Sequence, residues 1–153
     1  MKKQLYTMIA MMILAGFVAT SSAKAQTSAS RQLIATIPFE FSVGDKAMPA
    51  GDYTVRQINP ASDRAVLQLR RKDGSASAMV QTTSILGKTQ ESAKLVFHRY
   101  GSTYFLSQIW MAGEATGREL PKTRQERGIE RELKMIAANG HAYEVVEVVA
   151  LAR

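Results

Sequence analysis

Apolar and polar side chains alternate along the chain from Leu33 to Val43. A period of two puts the apolar side chains on one face of an extended backbone, so it predicts a β-strand with one buried face. Pro38 lies inside this run and lacks a backbone N–H, so the strand is expected to stand at a sheet edge or to break in two there. The apolar positions are Leu33, Ala35, Ile37, Phe39, Phe41 and Val43.

Turn residues divide the following segment into short strands. Glycines and prolines in residues 44–52 predict turns, and new alternating runs begin at Tyr53 and Ala65. Asp73-Gly74 lies between two strand-like runs, which is a strong hairpin signal, and the returning strand is expected from Met79 to Leu86.

A second hairpin is predicted over residues 94–111, where strand-like runs flank Gly101-Ser102. Glycine followed by serine suits a two-residue type II′ turn, which fixes the register of the two strands. Apolar side chains occur on both faces of this hairpin, so both faces are expected to be covered. The predicted pairs are Phe97 with Leu106, His98 with Phe105, and Arg99 with Tyr104.

The period changes to that of a helix over residues 121–138, which are rich in helix-forming residues. Pro121 suits the first turn, and Asn139-Gly140 suits a C-terminal cap. The basic side chains of residues 118–134 alternate with glutamates, so they are expected to form a solvated face rather than an envelope-surface contact. The apolar stripe consists of Ile129, Leu133 and Ile136. The carboxylates expected on the solvated face are Glu119, Glu126, Glu130 and Glu132.

A β-branched run over residues 142–151 predicts a closing strand. Six to eight short strands, one helix in the C-terminal half and a final strand predict a mostly β fold, either an antiparallel sandwich or a small barrel. The helix is expected to pack on a sheet face or to close a barrel end. We expect a single domain over residues 31–153, preceded by a flexible polar segment over 26–30.

Residues 1–25 contain the three parts of a secretory signal peptide. Two lysines give a positive start, an apolar run follows over residues 5–19, and Ala23 and Ala25 are the small residues that a signal peptidase reads. The apolar run is shorter than the roughly 20 residues that cross a bilayer. The pattern predicts cleavage after Ala25 and an exported protein, in the periplasm or outside the cell.

Composition narrows the function classes. None of the 153 residues is cysteine, which excludes disulfide scaffolds, thiolate metal sites and cysteine nucleophiles. The net charge of +7 falls to +4 when the three leader lysines are removed. So small an excess on an exported protein argues against nucleic acid as a partner. No transmembrane segment is predicted in the mature chain.

The sequence contains no recognisable catalytic constellation. A nucleophile elbow, a phosphate-cradling glycine loop and metal-ligand spacing are all missing, so no catalytic residue, cofactor or metal is predicted. His98 is expected to be a packed sheet residue. The alternative is a hydrolase in which a solvent-open His98 lies within hydrogen-bond reach of Glu126 or Glu130.

Aromatic and polar side chains of the second hairpin are the candidates for binding a ligand. Their rings can stack on a sugar or another flat ligand, and Tyr104 and Trp110 are expected to share a strand face. Packing in the core is the alternative fate of the same rings. The candidate ligand-binding residues are His98, Arg99, Tyr100, Tyr104 and Trp110.

Three segments give the chain a distinctive order of blocks: IPFEFSVGDKAMPAGDYTVR over residues 37–56, KLVFHRYGSTYFLSQIW over 94–110, and GRELPKTRQERGIERE over 117–132. This order resembles a group of small exported bacterial β-rich proteins that has no assigned activity. The resemblance implies a single secreted β domain with a late helix, and it transfers no functional residues.

These observations favour an exported, non-enzymatic β domain that binds an unknown small ligand or an envelope component, or that contributes to envelope structure. In one version of this hypothesis, the domain is a small barrel that holds the ligand in a lumen lined by Phe97, Tyr104 and Leu106. A second hypothesis is an assembly subunit that adds partners at a sheet edge near the N-terminal strand. The hydrolase that uses His98 is the third.

Overall fold

The structure of the protein is a computed structural model that describes residues 32–59, 62, 64–136 and 142–152. Over these residues the fold is mostly β with one helix before the final strand, as predicted. The strands and helix are β1 (Gln32–Ile37), β2 (Phe41–Val43), β3 (Lys46–Met48), β4 (Gly51–Ile58), β5 (Val66–Arg71), β6 (Ser77–Gln81), β7 (Thr83–Leu86), β8 (Ala93–Tyr100), β9 (Thr103–Trp110), β10 (Thr116–Glu119), α1 (Arg124–Ile136) and β11 (Glu144–Ala152).

Several predictions fall on other parts of the chain. The signal peptide over residues 1–25 with Ala23 and Ala25, the flexible segment over 26–30, and the predicted end of the helix with its Asn139-Gly140 cap lie outside the described residues.

The strands form one sheet in the order β3-β2-β9-β8-β11-β1-β4-β5-β6, while β10 pairs with both β9 and β7. Neighbouring strands are antiparallel except β2 and β9, which are parallel. The sheet curls into a nearly closed, barrel-like shape. Its two end strands approach each other where Lys46 Nζ of β3 donates a hydrogen bond to the backbone oxygen of Ser77 in β6, 2.5 Å away.

Pro38 divides the first predicted strand in two, because β1 ends at Ile37 and β2 begins at Phe41. β1 is not an edge strand. It pairs with β4 along its whole length and with β11 at Leu33 and Ile34. The sheet edge that the assembly hypothesis places at the N-terminal strand is therefore already paired within the chain.

Thr82 interrupts the strand that returns from the first hairpin. Its backbone N–H and its hydroxyl both donate to the backbone oxygen of Ala65, and both hydrogen bonds are 2.8 Å long. At this residue the chain leaves β6, and β7 begins at the next one. This break, the break at Pro38 and the short strands β3 and β10 raise the number of strands in the described residues to eleven, above the predicted six to eight.

Side chains from both halves of the sheet fill the interior. The Phe97 ring meets Phe39 and Phe41 edge to face, with centroids 5.2 and 5.4 Å apart. Leu106 is buried in the same cluster, and Tyr104 stacks on Phe39 at 3.9 Å. The three side chains predicted to line a ligand-holding lumen are thus packed against other side chains of the core.

The second hairpin has the predicted register at its turn. Phe97, His98 and Arg99 face Leu106, Phe105 and Tyr104, as predicted, and Gly101 adopts a φ of 61° that suits the first position of a type II′ turn. Both faces of the hairpin are covered, one by the interior cluster and the other by a second cluster beneath α1.

A β-bulge changes the register farther from the turn. Val96 faces Gln108 whereas Phe97 faces Leu106, so Ser107 is an extra residue in β9. Leu106 and Ile109 therefore both belong to the interior cluster, although strict alternation would separate them. The same extra residue places Tyr104 and Trp110 on opposite faces of β9. The prediction that they share a face, which assumed unbroken alternation, is therefore wrong.

Trp110 packs against two glycines, Gly117 within β10 and Gly87 just after β7. A Cβ atom at Gly117 would lie 2.7 Å from the indole ring, and one at Gly87 would lie 2.6 Å from it. Real Cβ atoms do not approach other atoms this closely, so glycine is required at both positions for the indole ring to stay in place. The indole N–H donates to Gln108 Oε1 at 3.0 Å.

We expect Gly117→Ala to lower the free energy of unfolding by about 1–3 kcal/mol, because the added methyl group overpacks against Trp110. Gly128→Ala is the matched control. It lies in α1, where an added Cβ would have no neighbouring atom within 4 Å, so it should raise stability by about 0.5–1 kcal/mol. Urea unfolding of both variants measures the contrast, and equal effects would contradict the packing argument.

Candidate functional site

The helix begins three residues later than predicted, at Arg124 rather than Pro121. The Thr123 hydroxyl accepts a hydrogen bond from the backbone N–H of Glu126 at 3.1 Å, and the Thr123 carbonyl accepts the first helical bond from Arg127. Thr123 is therefore the N-cap, which satisfies an amide that the helix leaves unpaired.

Glu126 connects this first turn to the sheet. One of its carboxylate oxygens, Oε1, accepts from His98 Nδ1 at 3.0 Å and from the Tyr100 hydroxyl at 3.2 Å. Glu126 is only 4% exposed and His98 only 7%. The prediction that Glu126 lies on a solvated face is wrong, because two donors from β8 replace the water that this carboxylate loses.

Aromatic rings enclose the buried carboxylate. Tyr143 lies against His98 with ring centroids 4.0 Å apart, and Lys122 Nζ lies 5.0 Å from the Tyr143 ring. Burial, together with the negative charge of Glu126, raises the pKa of Tyr100, so its hydroxyl stays protonated and donates. The arrangement holds a charge in place beneath the helix.

The apolar stripe of the helix makes only part of the predicted contact. Ile129 and Leu133 pack against Tyr100 and Phe105, but Ile136 is 81% exposed, contrary to the predicted three-residue stripe. Apolar packing therefore covers the middle of α1 and leaves its end uncovered.

Glu130 forms ion pairs on the next turn. It accepts from Lys134 at 2.8 Å and from Lys122 at 2.9 Å. Hydrogen bonds from Lys134 and Lys122 lower the pKa of this carboxyl to about 2. Glu130 is largely covered, contrary to the prediction, whereas Glu132 is exposed as predicted. Glu119 is exposed too, but it lies in β10 rather than on the helix.

The hydrolase hypothesis required a solvent-open His98 near Glu126 or Glu130. His98 does contact Glu126, but it is buried between β8, the helix and Tyr143. A general base must reach the proton that it removes from a substrate. His98 has no such access, so the contact with Glu126 is structural.

The five candidate ligand residues lie in three places. His98 and Tyr100 belong to the buried cluster. Arg99 lies on the other face of β8, 5.7 Å from the Tyr104 ring and paired with Glu144. Trp110 packs beside β10. The structure therefore does not unite them in one binding surface. Arg99 lines a hollow of about 350 Å³ together with Gly101, Ala142, Tyr143 and Glu144.

A larger cleft opens between the β2–β3 turn, β6 and the start of α1. Its volume is about 640 Å³, within the usual range for small-molecule sites. We call it the basic cleft because its lining contains four cationic side chains and one carboxylate. It is lined by Val43, Gly44, Asp45, Lys46, Ala78, Met79, Val80, Gln81, Pro121, Lys122, Thr123, Arg124 and Arg127.

Most cations of the basic cleft are not offset by a carboxylate. Lys46 donates to the backbone oxygen of Ser77, and Arg127 donates to the backbone oxygen of Lys122 at 2.7 Å. The Arg124 side chain makes no hydrogen bond or ion pair with any residue that the structure describes. Lys122, by contrast, is paired with Glu130. Positive charge therefore remains on both walls of the cleft.

Sequence reasoning missed both features of this region. The spacing of Thr123 and Glu126 matches a capping box, which would have marked the helix start. It would not have indicated that the glutamate side chain turns to the sheet. The mixed charges of the helix predict a solvated face for Lys122, Arg124 and Arg127. Lys46 is remote from them in the sequence, so no local pattern indicates that it lies beside them.

No group of three histidine, aspartate or glutamate side chains in the described part of the chain is arranged to hold a metal ion. No helix within the same residues has the length and apolar character to span a membrane. No family model, curated protein or solved structure matches this chain. The resemblance to a group of exported proteins therefore stays a prediction.

We expect Glu126→Ala to lower the free energy of unfolding by about 2–4 kcal/mol, because it leaves His98 and Tyr100 buried without their acceptor. Glu126→Gln keeps an acceptor oxygen and should cost less. Glu132→Ala, an exposed glutamate on the same helix, is the control and should change stability by less than about 0.5 kcal/mol. Chemical denaturation compares the three, and a Glu126→Ala variant as stable as the control would refute this role.

The pH dependence of stability should reveal the Glu130 ion pairs. Because the folded-state pKa of about 2 is below the ordinary value of 4.5, their contribution is complete above pH 4.5 and is lost as the pH falls towards 2. Unfolding free energies of the wild type and Glu130→Gln should converge over that range. Curves that stay parallel would contradict the assignment, and Glu132→Gln provides the exposed control.

Proposed function

We propose that this chain is an exported, non-enzymatic binding domain that takes a small ligand or a part of an envelope component into the basic cleft. The observation that carries the proposal is the cleft itself, an open recess of about 640 Å³ whose walls come from a β-turn, an edge strand and the start of the helix. A recess of this size on a packed scaffold is the usual setting of a ligand site.

The packed interior supports a site on the outside. Phe97 and Leu106 lie in the core cluster, and Tyr104 is stacked on Phe39, so these side chains are not available to a ligand held in a lumen. The basic cleft is instead reached directly from solvent, and Met79, 62% exposed, lies on its wall.

The burial of His98 supports a binding role over a catalytic one. Its carboxylate partner, Glu126, ties it into the helix–sheet contact rather than into a surface that a substrate can reach. The signal-peptide pattern of residues 1–25 supports export. The periplasm and the extracellular space are the two locations that fit.

Native mass spectrometry of the protein isolated from its own cell envelope tests this proposal. We expect a monomer that begins at Gln26 and carries a discrete extra mass. The extra mass should be lost in Met79→Trp, which fills the cleft, and kept in Leu86→Trp. Leu86 is 86% exposed on β7 and does not line the cleft, so it is the matched control.

Three results would overturn the proposal. A chain that retains residues 1–25 contradicts cleavage of the leader. A bare monomer, or an extra mass that Met79→Trp retains, contradicts ligand binding in the cleft. A ladder of multimers would instead support the assembly hypothesis.

A further inference from the structure

We infer that the ligand of the basic cleft carries at least two oxyanion groups, of the phosphate or carboxylate kind. This inference rests on the proposed function and names the class of ligand that the cleft accepts. It starts from the charge balance of the lining. Four cations and one carboxylate line a recess whose outer side is open to solvent, and one of these cations, Lys122, is already paired with Glu130.

The hydrogen bonds of the cations leave their charges available. Lys46 and Arg127 donate to backbone carbonyls, which orient the two groups without neutralising them. Arg127 uses only one guanidinium nitrogen in that bond, so its other N–H groups can form the paired contacts that oxyanions accept. Arg124 has no partner within the described residues, and its full set of donors is free.

The position of the cations sets the number of anionic groups. Lys46 is on the strand side, bonded to the carbonyl of β6, whereas Arg124 and Arg127 are on the first turn of α1. A ligand with one charged group would leave one wall without a counterion. A ligand with two or more groups can satisfy both walls and can displace the water that hydrates them.

The size of the cleft and the orientation of α1 agree with a ligand that carries several oxyanion groups. A volume of about 640 Å³ admits a small molecule or one end of a chain. The N-terminal end of α1 adds a partial positive charge to the same wall, and the buried Glu126 keeps that turn in position. The partial charge of the helix end adds to the attraction that the side chains create, and the fixed turn holds Arg124 and Arg127 at the cleft.

Calorimetric titration of the mature chain, residues 26–153, tests the inference with three probes. Tripolyphosphate and citrate carry several oxyanion groups of the two kinds, and maltotriose is a neutral comparison of similar size. We expect one or both anions to bind and maltotriose not to bind. Binding should weaken as salt is added, because the contacts are ionic and partly exposed. The stronger of the two anions identifies the kind of oxyanion.

Helix variants separate the cleft from general charge attraction. Arg124→Gln should weaken anion binding at least tenfold, and Arg124→Lys should restore part of it. Arg131→Gln removes the same charge from an exposed position of the same helix that does not line the cleft, so it should bind within twofold of the wild type. The Arg124 side chain is exposed and forms no hydrogen bond or ion pair with the described residues, so its variants are expected to fold.

The outcomes distinguish this inference from the proposed function. Equal binding by Arg124→Gln and Arg131→Gln, or no anion binding at all, overturns the inference. If maltotriose binds and Met79→Trp abolishes that binding, the cleft is a ligand site for neutral molecules, so the proposed function stands and the inference fails. If no probe binds and Met79→Trp also leaves the native extra mass unchanged, both fail.

Discussion

A carboxylate that has lost nearly all its water must receive hydrogen bonds from the protein, and Glu126 receives two from one strand. This pair of bonds decides where α1 lies on the sheet. The apolar contact of the helix is modest, since Ile129 and Leu133 are only partly buried and Ile136 is exposed. Polar bonds of defined length and direction therefore set a position that apolar packing alone would leave less sharply defined.

The same turn of the helix has two functions in the structure. Its inward side chain, Glu126, is bound to β8, and its outward side chains, Arg124 and Arg127, form a wall of the basic cleft. A histidine, a tyrosine and a glutamate in contact look like catalytic chemistry, but here they support a neighbouring surface. The distinction comes from burial, because Tyr143 covers the histidine that a substrate would have to reach.

Local patterns in the sequence predicted local structure well. The break at Pro38 and the register around Gly101 follow from residues that are close in the chain, and the structure confirms the register. The bulge at Ser107 reverses the alternation without a glycine or proline to mark it, so the position of Trp110 could not be read from its number. The burial of Glu126 and the approach of Lys46 to the helix depend on contacts between distant segments, which a periodic pattern does not contain.

The place of β11 in the sheet has a consequence for how the chain folds. β11 lies between β8 and β1, so its hydrogen bonds join the half of the sheet that ends at β8 to the half that begins at β1. Leu33 faces Ala152, so the first described strand pairs with the last one. Until residues 144–152 have emerged from the ribosome, β1 and β8 lack their shared partner and the sheet cannot be completed. Such long-range pairing is slow. The junction between the two halves of the sheet is therefore expected to be among the last parts of the structure to form.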